Sequence, residues 1–192
     1  MTALIEPTRR HLSPRQAGLV DRIVEAASDE ARELGYEKMS VRGAARRAGV
    51  APATAYTYFA SKDHLLAEVL WRRLEALPPV SFSPSQDTLD RVVTELGQLG
   101  TFMAADPDVA AACTTAFLGT GADVKVLRDR IGARIVARIS AALGHKPDPA
   151  VLQTLSLAYI GAMLSAGMGH LTFAEVPQAM ATAAGLVVGR DR

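Results

Sequence analysis

Apolar positions recur at spacings of three and four along nearly the whole chain, and no stretch alternates as a strand would. The pattern predicts an all-α protein. Ser13-Pro14-Arg15-Gln16 opens the first helix, with Ser13 as N-cap, proline at N1 and Gln16 closing a capping box. Val20, Ile23, Ala27, Ala31 and Leu34 form its buried stripe, the opposite face is charged, and Gly35 ends it. Two short helices follow, 41–48 and 53–59, the first capped by Ser40 and stopped by Gly49, the second opened by Pro52. Ser61 then caps a longer helix to about Leu77, with Leu66, Val69 or Leu70, and Leu74 inward.

Pro78-Pro79 and the Pro/Ser-rich run behind them mark a connector. Beyond it the same punctuation predicts five more helices: 87–105, 107–118, 122–143, 149–169 and 175–188. The third of these is amphipathic, with Val124, Leu127, Ile131, Ile135 and Ile139 set against Lys125, Arg128, Arg130, Arg134 and Arg138. The last carries Val176, Met180, Ala183 and Val187 on one stripe. The expected domains are a three-helix helix-turn-helix unit at 13–60, a connecting helix at 61–78, and a further helical domain at 87–192.

Charge changes the picture around the short helices. From Lys38 to Lys62 the chain carries five Lys/Arg and no Asp or Glu, with Tyr56 and Tyr58 beside them. A basic pair of arginines alone reads as a solvated helix face. Short helix, glycine turn, short helix, basic flanks and aromatic hydroxyls together read as a helix-turn-helix that binds double-stranded DNA. Ala53, Thr54 and Thr57 are expected to face base edges, where small methyl-bearing side chains suit a thymine methyl. Ser40, Arg42, Tyr56, Tyr58 and Lys62 are expected on phosphates, or for Arg42 on guanine.

The stretch GVAPATAYTYFASKDHLL resembles the TetR-family signature G-V-S-x-G-T-L-Y-x-Y-F-x-S-K-x-x-L-L. Upstream, GYEKMSVRGAARRAGV is similar to that family's G-(F/Y)-x-x-(T/S)-(V/T)-R-x-(I/V)-A-x-x-A-G-V. The resemblance covers residues 15–75 or so; beyond 78 it rests on length and helical pattern. Ala44 stands where the pattern has Ile or Val, and Ala55 where it has Leu, so closer packing or compensation from Tyr36, Met39 and Leu66 is expected. The resemblance implies a homodimeric repressor released from its operator by a small molecule, with 87–192 as its ligand-binding and dimerisation domain.

Composition narrows the alternatives. Hydrophobic residues make up 49% of 192 positions, enough for a packed core, and the formal net charge of +1 excludes a broadly polybasic protein. The lone Cys113 sits among small apolar residues with no nearby His, which reads as inert rather than nucleophilic. His64, His145 and His170 lack metal-ligand spacing, and the chain has no glycine-rich phosphate loop, so no enzyme, cofactor or metal is expected. The first residues, MTALIEPTRR, lack the apolar run of a signal peptide, and a cytoplasmic protein is expected. Residues 1–12 read as an arm whose Arg9, Arg10 and His11 suit a minor groove if ordered.

Residues 149–174 contain no Asp, Glu, Lys or Arg. The run lacks basic flanks and includes Gln153, Ser156, Ser165 and His170, so a buried dimer helix is expected there rather than a membrane span. Gly161, Ser165 and Gly169 form one small-residue row, and Ala158, Ala162 and Ala166 another. By themselves such rows read as packing within the chain; the TetR resemblance, a family that pairs its last two helices, implies homodimerisation through residues 149–188. Phe102, Met103, Cys113, Thr114, Phe117, Tyr159 and Met163 are aromatic or deformable, with two hydroxyls for orientation; singly each reads as core packing, and the TetR resemblance implies that together they line a site for an apolar effector.

Overall fold

Proline and glycine set the helix ends where the sequence places them. The computed structural model describes residues 12–79, 81–83 and 85–189. Arg9, Arg10 and His11 of the expected arm lie outside the described residues. Nine helices occur among the described residues: α1 (Pro14–Lys38), α2 (Val41–Arg47), α3 (Pro52–Tyr56), α4 (Lys62–Glu75), α5 (Thr88–Ala104), α6 (Pro107–Phe117), α7 (Ala122–Leu143), α8 (Pro149–Gly167) and α9 (Val176–Val188).

The capping box of α1 forms as expected, Gln16 N–H on Ser13 Oγ and Ser13 N–H on Gln16 Oε1. The helix ladder breaks at Gly35 (φ 71°, ψ 173°), and one further turn follows before Met39. Leu34, expected on the buried stripe, precedes that break and is 43% exposed. Val20, Ile23, Ala27 and Ala31 are fully buried, and the space near the stripe is taken by Val24, Ala26 and a carboxylate, Glu30.

The chain forms two compact units. One comprises the chain up to Arg72 together with Ala111–Asp129; the other comprises Arg73–Ala110 and the chain from Arg130 onward. The segment 111–129 thus groups with the helix-turn-helix, not with the C-terminal helices beside it in sequence. In the first unit Ala44 and Ala55 are fully buried, as are Phe59, Leu65 and Leu66, with Met39 nearly so. Alanines at both positions permit the helices that carry them to approach closely. The Cys113 thiol is buried and donates to the Leu66 carbonyl at 3.4 Å.

In the second unit α5 packs on α9, and α8 on α9. Gly100 permits the first contact: a Cβ there would lie 2.9 Å from Cγ of Pro177. Arg138, expected on the polar face of α7, is buried instead. Its Nε donates to Glu95, and its other nitrogens reach the carbonyls of Leu77 and Pro78 and Oε1 of Gln98 (3.1 Å). A buried guanidinium needs this degree of pairing. Ala184, not Ala183, continues the buried stripe of α9.

The α8 helix is apolar and long enough to cross a membrane by composition, yet only 28% of its 18-residue window is buried within the chain. Its end is a Schellman turn, with Gly169 N–H on Ala166 O (3.1 Å) and His170 N–H on Ser165 O (2.9 Å). Gly169, at φ 80°, lies past the helix and does not extend the small row of Gly161 and Ser165.

Candidate nucleic-acid interface

The turn between α2 and α3 is built from its backbone outward. Ser40 Oγ accepts Gly43 N–H at 2.9 Å and caps α2. At the other end Gly49 takes φ 67°, donates to Arg46 O (3.1 Å), and Val50 N–H reaches back to Ala45 O (2.9 Å). These two bonds complete a Schellman motif, which only a left-handed residue at position 49 permits without strain. Pro52 then starts α3, and Thr57 Oγ1 closes its end by donating to Thr54 O at 2.6 Å. The helix is five residues long, shorter than the expected 53–59.

This frame leaves one face open. Arg42, Arg46, Ala53, Tyr56 and Thr57 are exposed, Tyr56 by 51%, while Ser40 and Thr54 are half-buried. Arg47 is taken up by Glu33, with Nη1 2.9 Å from Oε1, and this guanidinium holds the Glu33 carboxyl below its ordinary range. Arg42 and Arg46 thus stand on a segment without acidic neighbours in sequence. Such a face attracts a polyanion, and its small side chains permit close approach to a groove.

Two of the expected contact residues have other surroundings. Tyr58 is 8% exposed, so most of its ring belongs to the core and not to the open face. Lys62 places Nζ 3.9 Å from the centre of the Tyr36 ring and donates to Tyr36 O at 2.9 Å. Its charge rests on the broken end of α1, where helix carbonyls lack partners. The adjacent Asp63 accepts the Tyr36 hydroxyl at 2.6 Å. Burial, with the carboxylate of Asp63 beside it, pushes the Tyr36 hydroxyl up to about 12. The junction from α3 to α4 is closed by Ser61, whose Oγ accepts His64 N–H (3.1 Å), and by His64 Nδ1, which accepts Ala60 N–H (3.2 Å).

This geometry matches known proteins. Residues 23–69 fit the family model described as bacterial regulatory proteins, tetR family. An uncharacterised HTH-type transcriptional regulator of Mycobacterium tuberculosis is 44% identical over 132 residues, 68% of this chain and 62% of the relative. Residues 23–69 are thus a TetR-family segment. The HTH-type transcriptional repressor KstR of Rhodococcus jostii is 36% identical over 112 residues, 58% of this chain and 53% of that repressor. The chain thus spans under two thirds of the length of these curated relatives. Among solved structures, a TetR transcriptional regulator from Rhodococcus sp. RHA1 superposes with a TM-score of 0.77 at 21% identity, covering 93% of this chain and 99% of that one. The likeness extends the TetR fold over the C-terminal helices, where the family model does not reach.

The seven residues expected around an effector fall in different units. Cys113, Thr114 and Phe117 belong to the first, and Phe102, Met103, Tyr159 and Met163 to the second. Met103 and Tyr159 are buried, while Phe102 and Met163 are half-buried. The Tyr159 hydroxyl donates to Leu99 O at 2.9 Å, and burial raises its pKa above the ordinary phenol value. Its donor is therefore already used within the unit. Among the described residues no three His, Cys, Asp or Glu side chains gather as a metal site would need.

Proposed function

We propose that this protein is a cytoplasmic transcriptional repressor of the TetR family that binds a palindromic operator as a homodimer and leaves it when an apolar small molecule binds. The observation that carries the DNA-binding reading is the open face of α2 and α3: a Schellman-locked turn presenting Arg42, Ala53, Tyr56 and Thr57 on an acid-free segment. Thr54 and the Ser40 hydroxyl lie at its edge, and α3 enters the major groove with Arg42 at its border. Tyr58 and Lys62 act first inside the protein, and only the part of Lys62 not spent on α1 serves a phosphate. The sense of regulation follows the repressor named KstR, to which the chain is similar.

Dimerisation is assigned to residues 149–188. Leu157 (61% exposed), Ile160 (41%) and Leu186 (60%) leave an apolar surface on α8 and α9, and Gly161 has open space about its Cβ position. A second copy covering α8 and α9 buries this surface and sets two readers about 34–36 Å apart. The effector site is assigned to the second unit, around Phe102, Met103, Tyr159 and Met163, with Cys113, Thr114 and Phe117 belonging to the packing of the first. A ligand there shifts the equilibrium only by preferring a conformation unfit for DNA.

Selection from a randomised duplex library tests the reading. Enrichment of an inverted repeat supports it, and recovery of no preferred sequence overturns it. A thermal-shift screen of apolar metabolites, followed by DNA binding with each hit, tests the effector. Phe102→Trp and Met163→Trp are expected to abolish both the shift and the release.

A further inference from the structure

A capping box has two halves: an N-cap hydroxyl that accepts the N3 backbone N–H, and an N3 carboxylate or amide that accepts the N-cap N–H. In α2 the first half is present, with Ser40 Oγ on Gly43 N–H at 2.9 Å. The N3 residue is Gly43, which has no side chain to supply the second half. Glu30 of α1 fills the vacancy. It is 6% exposed, its carboxylate sits where the side chain of an N3 residue would stand, and the Ser40 backbone N–H beside it favours the ionised form. A Cβ on Gly43 would lie 1.8 Å from Glu30 Oε1 and 2.5 Å from Oε2, so a glycine is what admits the carboxylate.

Placing the carboxylate on another helix changes what the box does. An N3 glutamate orders α2 alone. A carboxylate rooted in α1 orders α2 and fixes its first turn to α1 with one group. That turn carries Arg42, the residue immediately before Gly43. The arrangement also has a cost: Glu30 Oε2 is buried without a hydrogen-bond partner. Burial pushes the carboxyl above its ordinary range, opposed by Arg47, Arg46 and the Ser40 N–H, with Glu33 adding to the rise. A buried, half-satisfied acid that only filled space would be better replaced by an apolar side chain.

We infer that Glu30 is a positioning residue for DNA binding, completing the capping box of α2 from α1 and thereby holding Arg42 and α3 in their pose. The inference rests on the DNA-binding reading above. It concerns a residue that touches no DNA.

The test moves the carboxylate from one helix to the other. Operator affinity and thermal midpoint are measured for the full chain, for Glu30→Ala, for Gly43→Glu, and for the double variant, with affinities taken well below every midpoint. Glu30→Ala is expected to weaken operator binding about fivefold or more, as loss of a cap does. Gly43→Glu, which sets a second carboxylate against the first, is expected to weaken it at least as much. The double variant restores the box within α2, and both affinity and midpoint are expected to return towards those of the unaltered protein. Unaltered affinity in Glu30→Ala overturns the inference, and so do losses that add in the double variant. If the unaltered protein selects no DNA, the DNA-binding reading fails, and the midpoints alone still decide whether the box is shared.

Discussion

The Tyr36 hydroxyl donates to Asp63 at 2.6 Å, while the neighbouring Lys62 holds the carbonyl and ring of the same tyrosine. Tyr36 follows the break at Gly35, so this clasp ties the end of α1 to the start of α4 within the DNA-reading unit. Tyr36→Phe removes a hydrogen bond to a charged acceptor at a half-buried position. Its expected cost is about 1.5 kcal/mol, measured by urea unfolding. The loss has a pH signature. The folded hydroxyl is raised from 10.0 to about 12, so its contribution is complete below pH 10 and lost as pH rises through the folded value. The stability difference between the two proteins should therefore shrink in that alkaline window. A constant difference would contradict the clasp.

Glu95 and Arg138 form a buried pair in the second unit, 2% and 7% exposed. Removing either partner leaves an uncompensated buried charge. Glu95→Ala and Arg138→Ala are each expected to cost about 3–5 kcal/mol. Replacing both by leucine should recover much of the loss. The carbonyls of Leu77 and Pro78 lose a donor in that variant, so recovery is expected to be incomplete. Equilibrium denaturation of the three variants is the measurement.

Leu157 and Ile160 are exposed on α8, and charge placed there opposes pairing without touching the core. Leu157→Glu with Ile160→Glu is expected to convert a dimer into a monomer in sedimentation at micromolar concentration, with helicity unchanged. A monomer in the unaltered protein would remove the assignment, and a dimer that survives both substitutions would move it elsewhere.

Helix positions were legible because proline, glycine and capping serines stand at nearly every end. Pro14, Pro52, Pro107 and Pro149 each begin a helix, and Gly49 closes one. Periodicity also found the inward face of α7, where Val124, Leu127, Ile131, Ile135 and Ile139 are all buried. It failed where polarity and burial part company. Glu30 and Arg138 look like solvent-facing charges on amphipathic helices, yet Arg138 is buried onto Glu95 of α5 and Glu30 is buried against Gly43 of α2. No spacing along one helix reveals such a partner. The glycine at position 43 was the available signal for Glu30, since a helix-interior glycine marks a close approach.

The open face of α2 and α3 proposed to read DNA was marked by motif and charge, but the surroundings of the individual residues were not. Tyr58 and Lys62 lie in the signature stretch and read as DNA contacts. The structure turns one into the core and the other onto Tyr36. Tertiary neighbours fix these roles. The grouping of 111–129 with the first unit was likewise invisible, because the helices containing it continue unbroken into the second.

Affinity for the selected operator across a salt series tests the central claim most directly, with the unaltered protein, Arg42→Ala and Tyr56→Phe compared. The account predicts a steep linear fall of log affinity with log salt, reporting several neutralised phosphates. Arg42→Ala should weaken binding roughly tenfold to a hundredfold, and Tyr56→Phe should weaken it by a smaller factor, with thermal midpoints of both unchanged. A flat salt dependence, or wild-type affinity in both variants, would contradict the placement of DNA on the α2–α3 face.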